Sequence, residues 1–424
     1  MTNVYATDLQ HRMIQSTAWL PTRPAEQVND HIWMSRSNSY PYLVTSDDGD
    51  LVINTGTVYQ GARHAQRFEQ AIGRPLDVRA IVLTQSHPDH IGGWSAFAGP
   101  GVQTIAHKRV PQTIAERRAV APYLNSRSTV NLFERRHVDG EPEESPGPGL
   151  RWAMPDQEVT TPVGDSLEFE VGGRHYVALS VPGGETLDGL AIWLPAERTA
   201  WIGNMMGALW GALPHLSTIR GDRPRSAMLF IQSVQRVLDL QPELLLSGHD
   251  LPIRGAERIQ REAGKVVDAV RFIHDQTIEG MNAGKDLHTL MAEIALPPEL
   301  QTDPGRGPAS WYVRAVWEEY IGWFRDESLT ELYAVPQRAI WGELAQLAGG
   351  VDVLAACAGD HVRAGEPLKS LHYTDIALGV DPEHRAAREA RIAAMQLMLE
   401  RSRSEAYDEA RLLELEIERE LARL

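Results

Sequence analysis

The stretch Val78–Thr84 (VRAIVLT) runs without a break into Gln85-Ser86-His87-Pro88-Asp89-His90-Ile91-Gly92-Gly93, and this junction constrains the chain more than any other feature. A continuous apolar run of this length, rich in β-branched residues, reads as a strand buried on both faces, which places it inside a layered α/β sheet. The loop that follows carries two histidines and an aspartate within four residues. A lone histidine is more often structural, whereas three ligand-capable groups at one strand end point to metal binding. Ile91-Gly92-Gly93 then opens a helix with room for close packing.

Three residues on one loop do not complete a site. Ser247-Gly248-His249-Asp250 ends another apolar strand, Leu244-Leu245-Leu246, and offers His249 as a further strong ligand. Val181-Pro182-Gly183-Gly184-Glu185 is a strand-end turn that offers Glu185, which reads equally well as a solvated turn residue. Cys357 is the only cysteine, so His, Asp, Glu and neutral oxygens must supply any ligand set. The formal net charge of -16 argues against nucleic acid or an anionic membrane as the main partner. No run of apolar residues reaches the length of a membrane span, and the first residues lack the basic start and apolar block of a secretory signal. A cytoplasmic location is the expectation.

Strand-like segments lie at His31–Met34, Tyr42–Thr45, Leu51–Ile53, Ser166–Val171, His175–Ser180, Leu190–Leu194, Thr199–Ile202 and Leu244–Ser247, with a helix over Ala62–Ile72. Asp139–Gly149 (DGEPEESPGPG) reads as a loop passing over or near the site. The pattern changes after Gly255. A long helix covers Ala256–Asn282, Leu296–Pro308 carries four prolines and two glycines, and helices follow almost exclusively. The last one spaces Ala410, Leu413, Ile417, Leu421 and Leu424 by three and four, a stripe that packs against helices or a partner subunit. The expected domains are 1–255, a catalytic domain; 256–308, connecting helices and linker; and 309–424, all helical. Trp311, Trp317, Trp323 and Trp341 suit an apolar interface or a core.

The Gln85–His90 run resembles the His-x-His-x-Asp-His motif of the metallo-β-lactamase superfamily. Phe272–Thr277, Met281–Gly284, Val313–Phe324 and Gly365–Pro382 are similar to segments of its alkyl sulfatase branch. The resemblance covers about residues 25 to 400. It implies an αββα sandwich followed by an all-α dimerisation domain, zinc as cofactor with one or two ions, and a homodimer. Carried over residue by residue, it implies one metal on Gln85, His87 and Glu185 and another on Asp89, His90 and His249. The bridging acid of the family falls on Gly203, and Asn54 stands where an aspartate is common. With Gln85 a poorer zinc donor than imidazole and the bridge lost, the Asp89/His90/His249 site is expected to bind tighter, and one zinc there suffices to activate water. Asp89 serves as ligand or as the base that orients the water, with Asp250 and Asn54 as outer partners. Leu216–Gly221 (LSTIRG) resembles the family's Thr-Leu-Arg-Gly, which implies Arg220 as the anion clamp and Thr218 as a hydroxyl donor. Met205–Trp210 suits either a core or an apolar tunnel.

The implied function is hydrolysis of a small anionic ester such as an alkyl sulfate. Two alternatives stand beside it: a lactone, β-lactam or other acyl hydrolase of the same fold, and a dimeric binding protein with a partly degraded metal site.

Overall fold

A computed structural model describes residues 23–127, 158–216, 218–219 and 221–424. The expected Asp139–Gly149 loop and Arg220 lie outside the described residues. By packing, the described chain divides into two units. The larger contains residues 23–303 with Ala309–Trp317, and the smaller contains Pro304–Pro308 with Glu318–Leu424.

Two sheets form the larger unit. Among the described residues the first has seven strands in sequence order: β1 (Glu26–Gln27), β2 (Ile32–Met34), β3 (Tyr42–Val44), β4 (Asp50–Ile53), β5 (Val78–Leu83), β6 (Gln103–His107) and β7 (Thr161–Val163). Pairing is antiparallel from β1 to β4 and parallel from β4 to β7. The second contains β8 (Ser166–Val171), β9 (Arg174–Ser180), β10 (Leu190–Leu194), β11 (Thr199–Gly203), β12 (Leu244–Ser247) and β13 (Ile253–Arg254), in the order β13-β12-β11-β10-β9-β8. Among the described residues only β11 and β12 pair in parallel there.

The alternation of side chains along each strand separates three cores. Between the sheets lie Ile32, Met34, Tyr42, Ile53, Val82, Tyr176, Ile192, Trp201 and Leu246. The outer face of the first sheet buries Leu43, Val52, Ile81 and Leu83 with Phe68, Ile91 and Trp94. Ala191, Ala200 and Leu245, on the second sheet, pack with Phe230, Val234 and Val237 and with Ile259, Val266, Val270 and Ile273. Those last residues come from helices Ala227–Leu238 and Ala256–Asn282. The helix after Gly255 therefore belongs by packing to the larger unit, where its apolar stripe closes the outer layer. The architecture is the expected αββα sandwich.

The smaller unit is helical, with Trp341–Leu347, Val351–Arg363, Pro367–Val380, Arg385–Ser402 and Tyr407–Leu421. Leu354, Ala355, Ala377 and Ala387 form one cluster, and Ile392, Met395, Leu399, Leu413 and Ile417 another. The buried Arg388 guanidinium donates to Glu420 at 2.5 Å and ties the last two helices. Between residues 320 and 347, by contrast, large apolar side chains face outward: Trp323 is 76% exposed, Tyr333 72% and Leu347 84%. Trp317 instead packs against the outer core of the larger unit. Among the described residues, no helix is long and apolar enough to cross a membrane.

Candidate metal centre

The ligand-bearing loops leave the carboxyl ends of strands, where open α/β sheets place their sites. β5 delivers Gln85 to His90, β9 delivers Glu185, β11 delivers Asn204, and β12 delivers His249. Asn54, at φ 60°, accepts from the backbone N–H and the hydroxyl of Thr84, each at 3.0 Å, and so fixes the point at which β5 ends. The loop before β3 joins two of these segments. Ser39 donates its hydroxyl to the Asp89 carbonyl, and the Tyr40 N–H donates to the Gly248 carbonyl at 2.7 Å. Tyr42 donates its hydroxyl to the Ser247 carbonyl at 2.8 Å. Close backbone approach seats the loop from below. A Cβ on Gly93 would lie 2.2 Å from the Thr55 carbonyl oxygen, so only glycine admits this contact.

Asp89, His90 and His249 converge, all buried, with one ligand atom from each within 4.8 Å of the others. Oδ2 of Asp89 lies 3.6 Å from Nε2 of His90 and 3.5 Å from Nε2 of His249. The two imidazoles meet edge to face with centroids 5.2 Å apart. His90 is wholly buried, yet neither of its ring nitrogens makes a hydrogen bond among the described residues. Burial, reinforced by the neighbouring His249 and His87 against the pull of Asp89, lowers its pKa to about 4, so the ring is neutral and its lone pair available. Asp89 is shifted down: burial opposes ionisation, and the surrounding histidines outweigh it. A buried carboxylate facing two imidazoles, one of them without a partner, fits a divalent metal with borderline-soft preference.

The other half is built differently. Gln85 is buried and touches Nδ1 of His87 at 3.4 Å. Nδ1 of His87 lies 3.0 Å from Oε2 of Glu185, and Nε2 lies 3.6 Å from Oδ2 of Asp222. Burial lowers the His87 pKa, but the carboxylates of Asp222 and Glu185 prevail and hold it above its ordinary value. Glu185 also faces His215 at 3.6 Å and Arg225 at 3.9 Å. Burial would raise its pKa; the adjoining His215 and His87 rings, with Arg225 beyond them, keep it well below the usual carboxylate range. Asn204 donates to Oε2 of Glu185 at 2.8 Å and reaches Nε2 of His249 at 2.9 Å. Its amide thus stands between the halves, where the family's bridging acid was expected to fall on Gly203. The reason is a bulge in β11: the register shifts between Trp201 and Gly203, and Gly203 turns to φ 51°. A Cβ on Gly203 would meet Thr84 Oγ1 at 2.5 Å, so no side chain projects from that position into the site.

Asn204, His215, Asp222 and Arg225 were not singled out from sequence. His215, Asp222 and Arg225 flank the Thr218–Gly221 segment, and that adjacency was the only signal available. Thr218 keeps a buried hydroxyl with no hydrogen-bond partner among the described residues. Asp250 accepts from the backbone of Trp210 at 2.9 Å and of Leu251 at 2.8 Å, so its carboxylate organises the loop after β12. Met205, Met206 and Trp210 belong to the outer core. A cleft lined by Ser86, His87, Arg109, Glu185, Asp222 and Arg225 opens onto the His87 half of the site.

Known proteins share this arrangement of strands and helices. The chain is 26% identical over 363 residues to a linear primary-alkylsulfatase of a Pseudomonas species, covering 82% of this chain and 68% of that protein. It is 25% identical over 386 residues to an alkyl/aryl-sulfatase of Saccharomyces cerevisiae, covering 86% and 59%. The fold matches that of a stereoselective inverting sec-alkylsulfatase from Pseudomonas with a TM-score of 0.77 at 18% identity, covering 92% of this chain and 64% of that one. The chain thus spans between 59% and 68% of the length of these relatives. A family model described as alkyl sulfatase dimerisation matches residues 287–413. Because the model of the metallo-beta-lactamase superfamily matches residues 35–249, half of the chain, and the αββα layers agree with it, the chain belongs to the metallo-beta-lactamase superfamily.

Proposed function

We propose that the protein is a metal-dependent hydrolase of sulfate esters of alkyl alcohols, with the metal held by Asp89, His90 and His249. One observation carries this reading: among the described residues His90 is wholly buried with unpartnered ring nitrogens, and Asp89 and His249 each bring a ligand atom within 4.8 Å of its own. A buried imidazole without a hydrogen-bond partner is costly unless something takes its lone pair. A divalent ion there supplies Lewis-acid activation of water at neutral pH.

The chain's own residues then act around that centre. Asp89 faces both histidines through one oxygen and serves as a ligand, while its backbone carbonyl is held by Ser39. Thr218 offers its unpartnered hydroxyl, and Arg220 is the clamp for the anionic group. Alkyl sulfates are favoured over lactones and β-lactams because the relatives matched along both units are named alkylsulfatases. We also read the protein as a homodimer formed through the smaller unit, on the strength of the exposed Trp323, Leu329, Tyr333 and Leu347.

The test is turnover of a panel of alkyl sulfates, lactones and β-lactams by zinc-loaded protein and by His90→Ala. Alkyl sulfate hydrolysis by the wild type that disappears in the variant is the expected result. Turnover of lactones or β-lactams alone would replace the substrate reading. Equal inactivity of both proteins across the panel would favour a binding protein with a degraded site.

A further inference from the structure

The family resemblance implies a second metal on Gln85, His87 and Glu185, joined to the first by a bridging acid, and the residues present do not fit it. Gln85 is a neutral amide, and the residue between the halves is the amide of Asn204. Both oxygens of Glu185 already face protein donors: Asn204 and His87 at Oε2, and His215 and Arg225 at Oε1. Both nitrogens of His87 face carboxylates. This half of the site already contains a fixed cation. Arg225, whose side chain is 3% exposed, lies 3.2 Å from Oδ2 of Asp222 and 3.9 Å from Oε1 of Glu185. It also donates to the His215 carbonyl.

Its position has a local cause. Ser226 caps the helix Ala227–Leu238 by accepting from the Leu229 N–H at 3.3 Å. The helix buries Ala227, Phe230, Ile231 and Val234 in the outer core, and so directs the preceding residue inward. A guanidinium between the buried Glu185 carboxylate and the partly exposed Asp222 carboxylate supplies a fixed positive charge where a metal ion would otherwise sit, and no ligand exchange removes it.

We propose that the protein is a one-metal member of a two-metal architecture, in which the Arg225 guanidinium, held by Glu185 and Asp222, is the fixed cation that stands in for the second ion. This rests on the reading that Asp89, His90 and His249 hold the first ion. The substrate's anionic group then meets an exchangeable cation on one side of the centre and a permanent one on the other.

Metal stoichiometry tests it without reference to activity. Metal-free protein of all 424 residues is titrated with zinc chloride by isothermal calorimetry, and its fold is checked by circular dichroism. The wild type is expected to take one equivalent, with any second binding event at least tenfold weaker, and Glu185→Gln should still take one. Arg225→Met, which removes the cation between two carboxylates beside a histidine, should gain a second equivalent, and Arg225→Lys should keep one. Two tight equivalents in the wild type would overturn the proposal, as would one equivalent that is lost in Glu185→Gln. A folded Arg225→Met protein that still takes only one would overturn it too. If Arg225→Met does not fold, the wild type and Glu185→Gln decide the matter. A wild type that takes no zinc overturns the metal reading beneath the proposal, and a count of zero separates that failure from the others.

Discussion

The amide nitrogen of Asn204 lies 2.8 Å from Oε2 of Glu185, so a neutral donor occupies the space between the two halves of the site. Asn204→Asp would set two buried carboxylates face to face. Without metal, the lost hydrogen bond and the repulsion are expected to cost about 1–3 kcal/mol and lower the melting temperature by several degrees. Zinc should then raise the melting temperature of the variant by more than it raises that of the wild type. Equal zinc-induced shifts in the two proteins would show that position 204 does not face the metal. Gly203→Asp should behave differently, losing stability with no gain in response to zinc, because the new Cβ meets Thr84 and the backbone is at positive φ.

His90 should dominate metal affinity. Removing a ligand costs more than removing one of its outer partners, which typically lowers affinity by ~10–100-fold. His90→Ala is therefore expected to weaken zinc binding more than ~100-fold in competition with a chromophoric chelator. His87→Ala should change it far less. A reversed order would place the tighter ion on the His87 side.

His64 should set part of the acid sensitivity of the larger unit. It is wholly buried, with Nδ1 2.7 Å from the Ser35 hydroxyl and Nε2 3.0 Å from the Ser37 hydroxyl. Burial, together with the nearby Arg67, lowers its pKa from 6.5 to about 3. The folded state therefore keeps the ring neutral while the unfolded chain takes up a proton below pH 6.5. The stability tied to the neutral ring is fully present above pH 6.5 and is lost progressively as pH falls towards 3. At pH 5 the loss is on the order of 2 kcal/mol. Urea melts of metal-free wild type and His64→Gln at pH 7.5 and pH 5 measure it. The variant should lose correspondingly less stability between the two values, and identical losses would assign the acid sensitivity elsewhere.

Self-association should depend on the outward-facing apolar residues between 320 and 347. Leu347 and Trp323 are among the most exposed of them, at 84% and 76%. Charged replacements, Leu347→Glu and Trp323→Glu, are expected to raise the dimer dissociation constant at least ~10-fold each, as for anchor residues of an interface. Sedimentation equilibrium reads the change. Unaltered dimer mass in both variants at low micromolar concentration would move the interface to another face.

Much of this protein was legible before its structure. β5 and the loop after it follow from a β-branched apolar run that ends in a histidine cluster. Sheet-end positions of His249 and Glu185 follow from short apolar strands closed by glycine. The long helix Ala256–Asn282 was readable from its spacing, but its place in the core of the larger unit was not, since an apolar stripe does not say which surface it covers.

Local pattern, then, determined a layered α/β domain, the helical C-terminal region and the Asp89/His90 loop, because strands, helices and strand-end turns are set by neighbours in sequence, while the αββα order of the layers came from the family resemblance. Only the tertiary structure decided what stands beside them. The bulge at Gly203 turned Asn204 inward, and the start of the Ala227–Leu238 helix carried Arg225 to Glu185. Such side chains leave irregular segments with no period to read, and the distances between them exist only once both sheets have packed.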